Sequence, residues 1–149
     1  MLTGRYPHTN GVMGLCHGDF GWDMTDHTEH LAYRLREAGY DTAGMGVIHE
    51  TREPARVGFD QVPVPRCPAE QLASVAVDFL GSRPRHDRPF YLQIGFEEPH
   101  RSFNYGGATP DDTLGVTVPP YLVDEPSARE EFAEYQGAIH RLDREVGRV

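Results

Sequence analysis

Two histidines in this sequence follow short apolar runs and stand beside carboxylates: His49 in "GMGVIHE" and His100 in "GFEEPHR". A neutral imidazole takes a proton, and its charged form gives one up or neutralises an oxyanion. Arg101, next to His100, adds a planar fork of donors. That fork suits a tetrahedral oxyanion such as sulfate or phosphate, and equally one of the neighbouring carboxylates. Glu50, Glu97 and Glu98 carry the oxygen donors that a divalent cation takes, but their spacing matches no specific metal motif. No metal site is therefore expected from this chain by itself. The histidines at positions 8, 17, 27, 30, 86 and 140 lack such placement and read as solvated or locally hydrogen-bonded.

What must position His49 and His100 is a pair of strands. "YDTAGMGVI" is short, small and apolar, bounded by a glycine before and a charged turn after, which predicts a buried strand. "PAEQLASVAVDFLGS" predicts a helix with Pro68 at its first position and an apolar stripe of Leu72, Val75, Ala76, Phe79 and Leu80. In "RPFYLQIGF" the alternation of Phe90, Leu92, Ile94 and Phe96 predicts a second strand. Strand, helix, strand in this order is a βαβ unit, so the two strands should run parallel. Ligands of such sheets bind beyond the carboxyl ends of the strands. Both histidines are delivered to that edge, and the expectation is that they face one cleft.

The flanking segments are helical. "TDHTEHLAYRLREAGY" pairs Asp26 with Glu29 in the manner of a capping box, places Leu31, Leu35 and Ala38 on one face, and ends at Gly39. A loop rich in glycine, proline and aspartate runs from Glu97 to about Asp124. From Pro126 onward, Phe132, Tyr135, Ile139, Leu142 and Val146 recur at steps of three and four, which predicts a last helix.

The bulk numbers exclude some partners. The 149 residues carry a net charge of -9, which argues against a nucleic-acid or anionic-membrane surface. No apolar run approaches the roughly 18 residues of a membrane span. All 14 basic residues are arginine, so no step can use a lysine amine. Cys16 and Cys67 form no CxxC and read as two buried free thiols, with a disulfide as the alternative. The opening "MLTGRYPHTNGV" looks like the interior of a larger site, and the last helix reaches the C-terminus without a stop signal. Both ends are expected to be cuts.

In order along the chain, these pieces resemble the sulfatase family of the alkaline-phosphatase-like superfamily. "MLTG" resembles the close of the signature C-x-P-S-R-x-x-L-L-T-G, and "GYDTAGMGVIH" resembles G-Y-x-T-x-x-x-G-K-x-H. "RPFYLQIGFEEPHRSF" resembles the strand and P-H turn that follow. "VPPYLVDEPSAREEFAEYQGAIHRLDREVG" resembles the proline-rich approach to a long helix. "NGVMGL", "EEPHR" and "VPPYLVDEPSAREE" are most similar to the heparan N-sulfatase (sulfamidase) branch and its bacterial relatives.

The resemblance implies an α/β fold of the alkaline-phosphatase type, with residues 1–149 an internal part of one catalytic domain. It implies hydrolysis of sulfate esters or N-sulfates on sulfated sugars by a formylglycine whose position precedes Met1. It also implies a calcium ion whose ligands lie mostly outside this chain. His49 then corresponds to the histidine that helps the formylglycine hydrate turn over, and His100 to the one near the leaving group, with Arg101 beside it as a candidate substrate contact. Val47 departs from the pattern by replacing the lysine of G-K-x-H. By itself the chain is expected to be inactive, and the parent to be periplasmic or secreted. Two other readings stay open: a phosphodiesterase or phosphonate hydrolase of the same superfamily, and a non-catalytic binder of sulfated glycans.

Overall fold

Asp41–Gly46 forms β1 and Phe90–Gly95 forms β2, and the two pair in parallel from Asp41 opposite Phe90 to Gly46 opposite Gly95. The parallel pairing is the one the strand-helix-strand order requires. On the other side of β1 a third stretch runs alongside: Ala43 bridges Gln61 in parallel, and the Gly46 amide donates to the Val64 carbonyl at 3.0 Å. β1 is thus flanked on both sides, and its residues 42–45 are buried. Small side chains serve this crowding. A Cβ on Gly95 would stand 1.9 Å from the Val47 carbonyl oxygen.

The computed structural model describes residues 2–84 and 88–149, so the reading of His86 as solvated falls outside the described residues. The chain divides into two compact units, Met1–Arg66 with Ser82–Gly95, and Cys67–Gly81 with Phe96–Val149. The first unit holds the strands, a short helix α1 (Pro7–Asn10) and α2 (Leu31–Glu37). Its core gathers Met24, Ala32, Ile48, Val57 and Phe59, with Val12 and Tyr91 packed against them.

One expected helix is shorter than its sequence suggests. The run from Thr25 breaks at His30, whose backbone is extended at φ -68° and ψ 142°. The cause is local capping. Asp26 accepts from the amide and hydroxyl of Thr28 and closes a single 3₁₀ turn over His27–Glu29. His30 then caps α2 itself, its Nδ1 accepting from the Ala32 amide at 3.1 Å. Glu29 pairs with Arg5 at 2.7 Å instead of reaching back to Asp26. The buried position of α2 is Ala32, while Leu31 lies at the surface. Gly39 takes the left-handed conformation expected of it, at φ +90°.

The second unit packs α3 (Ala69–Gly81) with α4 (Pro126–Val146). α3 buries Ala69, Leu72, Ala73 and Ala76, close to the predicted stripe. α4 turns its small residues inward. Ala133, Gly137 and Ala138 are buried, whereas Tyr135 and Val146 of the expected stripe are exposed. Gly137 explains the choice, because a Cβ there would lie 1.8 Å from the Thr109 carbonyl oxygen. The loop before α4 lies against the helix too closely for larger side chains.

Candidate functional site

His49 stands three residues beyond β1 with its side chain exposed, and the sequence ahead of it dictates that placement. The Val47 amide donates to the Gly95 carbonyl at 2.7 Å and prolongs the ladder, and Ile48 drops into the core. The chain then turns outward. Around this turn lies a cavity of about 410 Å³, lined by His17, Val47, His49, Arg52 and Arg66 among others.

His17 is a residue that spacing did not single out. Its ring meets that of His49 edge to face, with centroids 5.3 Å apart. Its Nε2 lies 3.0 Å from the Ile48 carbonyl oxygen and must donate to it, which in the neutral ring leaves Nδ1 as the acceptor. Two further contacts tie the segment carrying His17 to the segment after His49. Arg52 Nε donates to the Cys16 carbonyl, and Asp23 accepts from the Arg52 amide at 3.4 Å. Burial works against the charge of Asp23, yet the Met24 and Arg52 amides and the Thr51 hydroxyl outweigh it and hold the carboxyl below its ordinary value. No local pattern reveals these contacts, which join residues about thirty positions apart.

Glu50, next to His49, does not wait for a cation. Its Oε1 accepts from the Gln93 amide at 2.6 Å and faces His30 Nε2 at 3.5 Å. Gln93 in turn accepts from the Tyr91 hydroxyl at 3.1 Å. Since His30 Nδ1 is an acceptor, the neutral ring carries its proton on Nε2, directed at Glu50. Burial alone would raise the Glu50 carboxyl; its bonds from His30 and Gln93 lower it below the usual value. The result is a partly buried polar chain from β2 through Glu50 to the cap of α2.

His100 and Arg101 belong to the second unit. The His100 amide donates to the Glu97 carbonyl at 2.8 Å, closing the P-H turn, and its ring stays exposed with Nδ1 3.7 Å from Glu97 Oε1. Arg101 pairs with Glu131 of α4 and lies over the Phe103 ring at 5.7 Å. That guanidinium thus meets a carboxylate, one of the two kinds of partner its fork suits. Glu98 is buried and also committed: both its oxygens accept from the Ala69 amide at the start of α3, at 3.1 and 3.2 Å. No group of three or more His, Cys, Asp or Glu suited to a metal occurs among the described residues. With Glu50 and Glu98 occupied by protein donors, these two carboxylates do not fit a calcium site.

Cys16 and Cys67 are free and buried, and burial raises both thiols above their usual value. No helix among the described residues is long and apolar enough to cross a membrane.

Comparison with known proteins places this geometry. The family model described as Sulfatase matches residues 1–149. Human N-sulphoglucosamine sulphohydrolase is 28% identical over 180 residues, an alignment covering 100% of this chain and 35% of that protein. The crystal structure of the lipoteichoic acid synthase LtaP from Listeria monocytogenes shares the fold, with a TM-score of 0.55 at 22% identity over 79% of this chain and 31% of that one. This chain therefore spans about a third of the length of either relative. The architecture is α/β and alkaline-phosphatase-like, the relationship covers every residue, and the chain belongs to the sulfatase family.

Proposed function

We propose that this chain is the part of a sulfuric ester or N-sulfate hydrolase that contributes two imidazoles to the reaction, His49 and His100, acting on a sulfated sugar. The observation that carries the reading is the family match over residues 1–149 together with a cavity beside His49 at the carboxyl end of a parallel strand. The 28% identity to an N-sulphoglucosamine sulphohydrolase points to a sulfated amino sugar as substrate.

The chemistry follows from what each residue can do. A formylglycine hydrate, contributed from a position preceding Met1, would supply the oxygen that attacks sulfur. As the S–O or S–N bond breaks, the departing oxygen or nitrogen needs a proton, and His100 as an imidazolium gives it. Its exposed ring is open to a departing group. His49 would take the proton lost from the hydrate's remaining hydroxyl as sulfate departs and the aldehyde returns. Arg101 stands beside the leaving-group histidine and orients the sugar, either once Glu131 yields it or through the donors that Glu131 leaves over.

The test is an extended reading frame. A C-x-P-S-R or S-x-P-S-R motif is expected ahead of Met1, and the extended protein should release sulfate from N-sulfoglucosamine or from sulfated sugars. His49→Ala and His100→Ala should each lower kcat by about 10² or more. Absence of sulfate release with the motif in place sinks the enzyme reading. Val47 favours a second reading, a non-catalytic binder of sulfated glycans, because it removes the lysine of the family pattern. Binding without turnover by the extended protein would select it.

A further inference from the structure

A second cavity lies within the second unit, apart from the residues assigned a part in the reaction. It holds about 320 Å³ between residues 107–113 and the C-terminal half of α4, at the lower end of the range for small-molecule pockets. His140, Arg141 and Arg144 line it from α4, and steps of three and four put them on one helix face with Gly137. The loop before α4 brings Asp111 and Asp112 to the same cavity. Neither His100 nor Arg101 is among its described lining residues.

Its walls are fixed by the chain's own bonds. The Asp111 amide donates to the Ala133 carbonyl at 2.9 Å, and the Gln136 side chain donates to the Asp111 carbonyl at 2.8 Å. The missing Cβ of Gly137 lets the Thr109 carbonyl come up to the helix. The Asp111 carboxylate accepts from the Thr113 hydroxyl at 2.6 Å and from the Thr113 amide at 2.9 Å, while His140 Nδ1 meets its other oxygen. These donors, the Thr113 hydroxyl first, hold the Asp111 carboxyl down at about 2, so it accepts and Nδ1 donates. Sequence spacing does not announce this pair, because Asp111 stands 29 positions before His140.

Three groups of this lining keep atoms without a hydrogen-bond partner among the described residues. His140 Nε2 is one: in the neutral ring it accepts from a hydroxyl, and in the charged ring it donates to an anion. Arg144 is anchored by Nε on Glu145 Oε1 at 3.1 Å, which leaves both terminal nitrogens of an exposed guanidinium. The exposed Asp112 carboxylate is the third. Arg141 is more fully committed, with Nη2 on Glu70 at 3.1 Å. A cation and a carboxylate in one cavity decide the chemistry of its ligand. A bare oxyanion would meet repulsion from Asp112, and a neutral sugar would leave the Arg144 charge unanswered. A hydroxylated ring bearing an acidic group satisfies both, with guanidinium donors for the acid and a carboxylate acceptor for a hydroxyl. We propose that this cavity binds an acidic sugar unit, its carboxylate or sulfate held by Arg144 and its hydroxyls by Asp112 and His140. The sugar class rests on the sulfated-sugar reading above, whereas the pairing of an acid with hydroxyls rests on the cavity.

Binding is read on the chain without turnover, by side-chain NMR of the histidines at one pH and constant ionic strength. The chain is titrated with glucuronate and, separately, with N-sulfoglucosamine, which distinguish a carboxylate from a sulfate as the acidic group. The His140 resonances should shift and saturate with at least one of them. Glucose and sodium sulfate each carry half of the recognised chemistry. Both should bind at least about tenfold more weakly, a difference of about 1.4 kcal/mol or more. Arg144→Ala should weaken binding of the sugar acid about tenfold, and Arg144→Lys should restore part of the loss. Asp112→Asn should weaken it too, while leaving sodium sulfate bound no worse than before. Both residues are exposed, and an unchanged urea midpoint should show the variants folded. Sodium sulfate bound as tightly as the sugar acids overturns the proposal, as does a His140 response indifferent to both variants, or none at all. Sulfate release by the extended protein is scored separately. Release with no response at His140 leaves the enzyme reading standing and removes this one. Arg144-dependent binding without any release does the reverse.

Discussion

His17 and His49 meet edge to face, their ring planes inclined by 66° at a centroid separation of 5.3 Å. One imidazole thereby limits the orientations open to the other. His17 is itself fixed by its bond to the Ile48 carbonyl, one residue before His49. On the proposed reading of His49, this makes His17 a positioning residue.

His17→Ala should therefore lower kcat/KM for sulfate release by the extended protein about ten- to hundredfold, the scale expected when a catalytic group is misplaced by about 1 Å. The loss should fall on kcat more than on KM. His17→Gln keeps an N–H donor for the Ile48 carbonyl and should recover much of the activity. A loss carried by KM alone in His17→Ala, or none recovered by His17→Gln, would contradict the positioning role.

Steric closure at the end of the strands makes a second prediction. A Cβ on Gly95 would sit 1.9 Å from the Val47 carbonyl oxygen, and that contact is backbone, which cannot rotate away. Gly95→Ala should cost about 1–3 kcal/mol or more in urea unfolding, as overpacking does. Gly81→Ala, at the end of α3 with nothing within 4 Å of its new methyl, should be neutral or slightly stabilising. Equal behaviour of the two variants would refute the close approach of β2 to Val47.

How much of this was legible in the sequence depends on the range of the contacts. β1, β2, α3 and the start of α4 follow from local apolar period and proline placement, so their residues announce them. The place of His49 just beyond a strand was legible because the apolar run ahead of it announces β1. His17 was not, because its partners lie about thirty positions away and its own neighbourhood is an irregular loop. The break at His30 escaped for another reason: a histidine ring acting as an N-cap competes with a capping box that the types of Asp26 and Glu29 suggested just as well. Along α4 the large apolar residues advertised a face, but the close approach of Thr109 to Gly137 selected the small one.

Glu98 holds the start of α3 by accepting from the Ala69 amide with both oxygens, and Arg141 Nε lies 3.7 Å from it. A carboxylate at a helix N-terminus satisfies an otherwise orphaned donor and complements the helix dipole. Glu98→Gln should cost about 1–2 kcal/mol in denaturant unfolding, since the largely buried Arg141 loses one of its two charge partners as well. Glu70→Gln removes the other partner of Arg141, a largely exposed one, and should cost well under about 1 kcal/mol. If Glu70→Gln proved the more damaging, the capping role of Glu98 would be wrong.

The chain from Tyr91 through Gln93 to Glu50 and His30 predicts how acid affects the first unit. The folded-state carboxyl of Glu50 is lowered below its ordinary 4.5, because the donors from His30 and Gln93 outweigh the opposing effect of burial. A lowered carboxyl binds its proton less readily in the folded than in the unfolded chain, so acid favours unfolding. The stabilisation is complete above about pH 4.5 and is lost as the pH falls through the lowered folded value. Glu50→Gln should remove that part of the pH dependence and flatten the unfolding free energy across this acid window. At neutral pH the variant should be less stable by about 1–3 kcal/mol, since the His30 ring loses the carboxylate its Nε2 faces. Urea unfolding at pH 7 and at steps below pH 5 gives both quantities. A variant whose stability still falls as steeply as the wild type in acid would assign the pH dependence elsewhere, with Asp23 the next group to test because its carboxyl is also lowered, from 3.8.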